Sequence, residues 1–290
     1  MQRRGVCKIL GGKTLLAPQI AQAIDAIPHH TYLEPYVGGA SVFMTKAKSR
    51  YEILNDIDAE LTTLLRCAAH HPQALATELA KLHAGRLEYK RLAATDPATL
   101  TDLQRAARTF TLRRLTYGGD ITTVGGGRLA GVQVTSWQVT VSLYAAWLAT
   151  ACGRLADALI ENLPATEAIR RYDSPTTLTY ADPPYIATTG YAHPFTDDDH
   201  RQLADQLHTL TGRFLLTINN HPLARELYAD CQVTELAGQW MTRGGGKHAH
   251  VTELLIAGPP RPRRKRPSKV PRTPPKPTTK GAPKRRPSGR

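Results

Sequence analysis

Apolar positions fall into short runs whose period changes along the chain. Thr31 to Val37 and Tyr51 to Asn55 are brief and carry aromatic and aliphatic residues, which predicts strands. Leu16 to Ala26, Ser41 to Lys48 and Ala59 to Ala69 repeat at helical spacing. Together they predict an amphipathic helix followed by a β-α-β-α unit. Further on, β-branched Thr176 to Thr179 predicts a strand, Asp197 to Leu210 a helix, and Arg213 to Asn219 another strand. The polar end Asn219-Asn220-His221 before Pro222 fits the crevice at a strand's carboxyl end; an ordinary helix start is the simpler reading. Val233 to Trp240 and Val251 to Ala257 predict an antiparallel pair at a sheet edge. Between them, Arg243-Gly-Gly-Gly-Lys247-His248 makes a basic glycine-rich loop suited to touching phosphates.

The middle of the chain differs. Helical patterns at Pro72 to Leu92 and Leu100 to Leu115 give way to Tyr117-Gly-Gly and Gly125-Gly-Gly-Arg128, and the core pattern resumes near Asp157. Gly38 and Asp182 stand 144 positions apart (182 − 38). Strands and helices of usual length would need about half of that. An inserted, mainly helical module over residues 72–156 accounts for the excess and divides an α/β core into 1–71 and 157–258. Arg105, Arg108, Arg113 and Arg114 cluster in this module, with Arg128 beyond; they are candidates for phosphate or guanine contacts, or for a solvated helix face.

Charge sharpens the boundary at the other end. The chain has 290 residues, 41% of them apolar, enough for a sizeable core, and a formal charge of +14. Residues 259–290 hold 13 Lys plus Arg, no Asp or Glu, and 10 prolines, so the other 258 residues net only +1. A segment so charged and so poor in apolar residues cannot bury enough surface to fold, and it predicts a disordered polybasic tail. Such a tail would contact phosphates without reading sequence, or would serve solubility or targeting.

Cys7, Cys67, Cys152 and Cys231 are scattered without a paired spacing, as expected of reduced cytoplasmic thiols. His29-His30, His70-His71, His248 and His250 form no zinc pattern, so no metal is expected. No run of ~18 apolar residues and no secretory core is evident, which predicts a soluble chain without a membrane partner.

The chemistry concentrates in Tyr180-Ala181-Asp182-Pro183-Pro184-Tyr185, directly after the strand at 176–179. Asp182 and the Pro183 carbonyl are two acceptors that can hold amino hydrogens, and Tyr185 is a ring on which a base can stack. Consecutive prolines restrict the backbone, so the acceptors do not wander. A plain Pro-Pro turn closing a strand is the alternative. Glu34-Pro35-Tyr36-Val37-Gly38-Gly39-Ala40 lies between strand and helix patterns, where glycines let a ligand approach the backbone. Asp56 follows Gly38 by 18 positions (56 − 38), close to the ~20-residue offset at which a carboxylate meets ribose hydroxyls. Near the N-terminus, Lys8-Ile9-Leu10-Gly11-Gly12-Lys13 brings two glycines and an ammonium together.

In order and spacing these stretches, with Tyr51 to Asp58, Phe195-Thr196 and Val251-Thr-Glu-Leu-Leu255, resemble the Dam-type (D12 class) DNA adenine N6-methyltransferases over about residues 6 to 258. The resemblance implies a Rossmann-like class I methyltransferase sheet with an inserted target-recognition domain. It implies S-adenosylmethionine as cofactor and double-stranded DNA as partner, in a monomer of the bacterial or phage-infected cytoplasm. Catalytic roles would fall to Asp182, Pro183, Pro184 and Tyr185, and cofactor contacts to Ile9, Lys13, Glu34, Tyr36, Gly38, Gly39, Asp56 and Asp182. DNA contacts would fall to Arg113, Arg114, Arg128, Arg243 and Lys247. The family usually has an aromatic residue where Ile9 stands, and its tyrosine- and asparagine-rich recognition hairpin has no counterpart here. An RNA or cytosine-N4 amine methyltransferase and a catalytically silent DNA-binding protein are the alternatives; Asp rather than Ser before Pro183 disfavours cytosine.

Overall fold

The computed structural model of the chain describes residues 5–7, 9, 12–116, 137–188, 191, 193–241 and 248–258. Its N-terminal half contains α1 (Ala17–Asp25), β1 (Thr31–Glu34), β2 (Tyr51–Asn55), α2 (Ala59–His70), α3 (Pro72–Ala80), α4 (Arg86–Ala94) and α5 (Asp102–Leu115). After α6 (Trp137–Ala156) come β3 (Leu159–Glu161), α7 (Ala165–Tyr172), β4 (Thr177–Ala181), α8 (Asp197–Thr209), β5 (Arg213–Asn219) and α9 (Pro222–Leu227). The hairpin of β6 (Gln232–Met241) and β7 (His248–Ala257) completes the set.

The helices start where the local chemistry permits. Prolines open α1, α3 and α9, where the missing N–H is no loss. Asp58 caps α2 by accepting from the Glu60 and Leu61 amides. Capping boxes, Thr101 with Gln104 and Thr196 with Asp199, start α5 and α8.

The strands form one seven-stranded sheet in the order β3-β2-β1-β4-β5-β7-β6. Strands β1 to β5 run parallel, while β7 inserts antiparallel between β5 and β6. Side chains alternate between two apolar layers. Tyr32, Leu54, Leu178, Tyr180, Leu215 and Leu255 join α1 and α2 on one face, whereas Leu33, Ile53, Ala181, Leu216, Leu254 and Ile256 join α7, α8 and α9 on the other. Strand order reverses between β1 and β4, and in open α/β sheets the crevice beyond the carboxyl ends at that switch point receives ligands. This is a Rossmann-like α/β architecture.

Segment 41–48, expected as a helix, is instead a series of turns. Two helical-type bonds form, Met44 N–H to the Ala40 carbonyl at 2.9 Å and Lys46 N–H to the Val42 carbonyl at 3.0 Å, and Lys46 is then drawn inward. Its ammonium lies 2.6 Å from buried Glu52, so Ala47 and Lys48 leave the helical path. The pattern at 72–92 is two helices rather than one, broken at Lys81 to Gly85. Helix α6, which periodicity had not suggested, buries Trp137, Val141, Tyr144, Leu148, Ala151 and Leu155 along one stripe. Among the described residues it is the one helix long and apolar enough to cross a membrane by length and composition. Its stripe accounts for that composition, because α3, α5 and α6 bury Leu75, Leu79, Phe110, Tyr144 and Leu148 in the same cluster as α1 and α2. Arg154 also ties α6 to the sheet through an ion pair with Glu52 on β2.

Candidate active site

The loop after β1 sets one wall of the crevice. Gly38 has φ +50° and donates its N–H to Asp56 Oδ2 at 2.8 Å; the other Asp56 oxygen accepts from the Asp58 amide at 3.0 Å. Asp56 thus sits at the end of β2 facing the glycine loop, with lone pairs left on a carboxylate that burial shifts toward higher pKa. The N-terminal segment lies directly on this loop. The Val6 amide donates to the Gly39 carbonyl at 2.7 Å, and a Cβ on Gly39 would come 2.6 Å from the Cys7 carbonyl oxygen, so the close approach requires glycine. Ile9 closes over the same place: a Cβ on Gly38 would meet its Cδ1 at 3.0 Å.

The opposite wall is the segment after β4. Because strand alternation continues to the carboxyl ends, Tyr32, Glu34, Tyr180, Thr217 and Glu253 all point to the α1 face. Lys13, delivered by the turn before α1, reaches this row with an ammonium that is almost wholly buried. It lies 2.6 Å from Asp182 Oδ1 and 3.3 Å from Glu253 Oε1, and it donates to the Tyr185 hydroxyl at 3.0 Å. Burial opposes its charge, yet the two carboxylates outweigh burial and hold its pKa above that of an ordinary lysine. Thr217 donates to Asp182 Oδ1 at 2.9 Å, which leaves its own oxygen to receive the Tyr180 hydroxyl at 2.8 Å. Burial raises the pKa of Asp182, with Lys13 and Thr217 pulling it back. Asp182 is therefore a fixed acceptor with one edge open to the crevice.

Asn219 at the end of β5 holds the loop from below: its side chain accepts from the Ile186 amide at 3.0 Å and donates to the Ile186 carbonyl at 3.1 Å. His221 takes the helix-start role, accepting from the Leu223 amide at 3.2 Å. Pro183 is buried, Pro184 and Tyr185 are half-buried, and the Tyr36 ring meets Phe195 edge-on at 6.1 Å. Glu34 is buried and accepts from the Tyr32 hydroxyl at 2.7 Å; burial pushes its pKa up to about 8, so it is largely protonated at neutral pH.

Lys13, Asp182 and Tyr185 come together as one cluster, and Gly38, Gly39, Asp56 and Ile9 as another. The arginines expected at DNA behave differently. Arg113 is a correction: it is buried, and its guanidinium is 2.8 Å from Asp58, the cap of α2, so it is an internal brace rather than a surface contact. Arg105 pairs with Glu60, and Arg108 donates to the Leu92 carbonyl at 2.7 Å. Arg114 is half-buried. Arg128, Arg243, Lys247 and the tail at 259–290 lie outside the described residues. Sequence reasoning gave no role to Glu253, Thr217 or Tyr180, although Tyr180 and Glu253 lie within stretches it quoted. For Glu253 the signal was an acidic residue at an inward position of an apolar strand. A group of His208, Asp230 and Cys231 has donor atoms within 4.8 Å of one another, but hydrogen bonds among them, such as His208 Nε2 to Asp230 Oδ1 at 3.0 Å, account for that closeness.

A glycine loop, a carboxylate one strand away and a paired Asp-Lys thus lie at the switch point of a Rossmann-like sheet. The family model of the D12 class N6 adenine-specific DNA methyltransferases matches residues 10–242, and the chain belongs to that family. No curated protein matches the chain. Adenine N6 methylation of DNA is therefore its general activity.

Proposed function

We propose that the chain binds S-adenosylmethionine between the glycine loop and Asp182 and methylates N6 of an adenine extruded from duplex DNA at one recognised sequence. The observation that carries this reading is the Lys13-Asp182-Tyr185 cluster at the switch point, where it and the Gly38 loop follow the carboxyl ends of the neighbouring parallel strands β4 and β1. The residues present fit the cofactor: the backbone at Gly38 and Gly39 has no side chain to exclude it, and Asp56 offers an acceptor to ribose hydroxyls. When bound, S-adenosylmethionine supplies an electrophilic methyl on a sulfonium.

The chain's own part is orientation and charge. Asp182 accepts one amino hydrogen and the Pro183 carbonyl the other, so the nitrogen lone pair is aimed rather than delocalised into the ring. Tyr185, steadied by Lys13 through its hydroxyl, provides the flat surface on which the base rests. Lys13 and Thr217 keep Asp182 unprotonated in its buried position. After attack, the amine is acidic enough to lose its proton without a strong base. The segment 72–156, with the basic loop around 243–247, is assigned to target recognition, and the tail to sequence-independent phosphate contact.

The test is methylation-sensitive sequencing of DNA from cells expressing the wild type or Asp182→Ala, with purified protein assayed alongside. One modified adenine context in the wild type is expected, with turnover about 10²–10³ lower in the variant, as for loss of one aligned acceptor. Modified cytosine or RNA, or near-normal turnover by the variant, would overturn the reading.

A further inference from the structure

Glu253 is a fully buried acid of the site with no role in the reaction as described above. It sits on β7, paired in register with Asn219 on β5 and Leu236 on β6, and has no solvent exposure. Among the described residues the group that reaches this carboxylate is the Lys13 ammonium, 3.3 Å from one of its oxygens. A buried carboxylate that one shared ammonium must satisfy is costly, and a purely structural position would be served better by leucine or glutamine. Resting on the proposed amine methylation, we infer that Glu253 is a positioning residue: it holds the Lys13 ammonium between Asp182 and Tyr185, and when ionised it leaves the site with one net negative charge.

The charge count gives the consequence. Lys13 is cationic and Asp182 anionic, so with Glu253 protonated the three groups are neutral, and with Glu253 ionised they carry −1. As the N6–C bond forms and the sulfur–C bond breaks, the electron pair of the old bond goes to sulfur. Positive charge passes to nitrogen until its proton leaves. A negative site favours that movement, because the field is already in place and need not reorganise. Burial, and after it the Lys13 and Asp182 charges, set the titration of Glu253 at about 7. The other ionisable groups around this row are Tyr180, Tyr185, Tyr191, Tyr32, the Lys46–Glu52 pair and Glu34, the last titrating near 8; all of them remain in the variants below.

Single-turnover methylation by wild type, Glu253→Gln and Glu253→Asp should be followed from pH 6 to 8.5 with cofactor and DNA saturating. Glutamine mimics the protonated acid, so Glu253→Gln should match wild type near pH 6 and fall about tenfold behind at pH 8.5, a difference equivalent to one pKa unit of interaction. Cofactor affinity should be unchanged, and Glu253→Asp should regain part of the alkaline rise. A uniform slowing at every pH would mark a packing defect, and an unchanged profile would remove Glu253 from the reaction; either overturns the inference. A wild type that methylates no DNA adenine would instead refute the proposed function. Glu253 would then stand or fall on a double-mutant cycle of Glu253→Gln with Lys13→Met in urea unfolding. Coupling at least tenfold larger at pH 8.5 than at pH 6 is expected, and its absence refutes the pairing.

Discussion

Replacing Lys13 with Met removes one ammonium while keeping most of the stem, and the burial of its partners sets the size of the effect. The ammonium stands 2.6 Å from Asp182 and 3.3 Å from Glu253, with relative side-chain exposures of 3%, 18% and 0% for the three residues. Taking away the shared cation strands two carboxylates, a loss worth about 3–5 kcal/mol when neither can escape by protonation. Escape depends on pH. Both carboxyls already have raised pKa values in the folded protein because of burial, and Lys13 lowers them, so the variant raises them further. For a carboxyl whose folded pKa exceeds the unfolded one, the folded state binds more protons between the two values. Stability therefore falls as pH rises through that window. The variant should lose about 1 kcal/mol at pH 5.5, where protonation relieves the strain, and approach 3–5 kcal/mol at pH 8.5. Urea unfolding followed by far-ultraviolet circular dichroism at pH 5.5, 7 and 8.5 measures this. A destabilisation independent of pH, or a variant as stable as wild type at pH 8.5, would show that Lys13 is not the counter-charge to this buried pair.

Asp56→Ala should weaken S-adenosylmethionine binding by about 1.5–3 kcal/mol, the value of a hydrogen bond to a charged acceptor, and it also frees the Gly38 amide; unchanged affinity by calorimetry would show that the ribose site is misplaced. Arg113→Met should lower stability by about 1–3 kcal/mol through loss of the Asp58 brace, with DNA affinity and its salt slope intact; a shallower slope in filter binding would return Arg113 to the DNA interface. Truncation after Gly258 removes 13 positive groups from a chain of net charge +14, so DNA binding should weaken and its logarithmic salt slope flatten by roughly 0.9 per lost phosphate contact. The methylated sequence should stay the same; a salt series together with site mapping tests both points.

Much of the sheet was legible because its strands are short apolar runs ended by polar or turn residues: Arg213 to Asn219 and the β6–β7 pair emerge close to their expected bounds. Helix α8 was legible over 197–210, and the Thr196–Asp199 capping box fixes its start. What escaped notice depended on tertiary partners. The segment 41–48 has helical spacing, but Lys46 is bound to Glu52 and leaves that path. Arg113 reads as a basic surface residue until Asp58, 55 positions away, is placed against it. At the site, Asp182, Lys13 and the glycine loop were legible from residue type and order. Thr217 and Tyr180 were not, since an apolar strand carrying a hydroxyl looks the same whether or not that hydroxyl points at a carboxylate.

The order in which the site is assembled explains why its members lie so far apart in the chain. Lys13 comes from the turn before the first helix, Asp182 from the end of β4, and Glu253 from the last strand, which reaches the site only by inserting antiparallel between β5 and β6. Were β6 itself to lie beside β5, as in a purely parallel sheet, no residue of β7 could stand in register with Asn219 and face the Lys13 ammonium. Register is then the decisive variable. A one-residue slip of β7 would turn Glu253 to the opposite face, into the apolar layer of Leu216, Ile218 and Leu254 and away from Lys13. The ion pair thus opposes that slip while the apolar alternation of β7 opposes it from both faces. The same pairing that places a charge at the amine site also fixes the edge of the sheet.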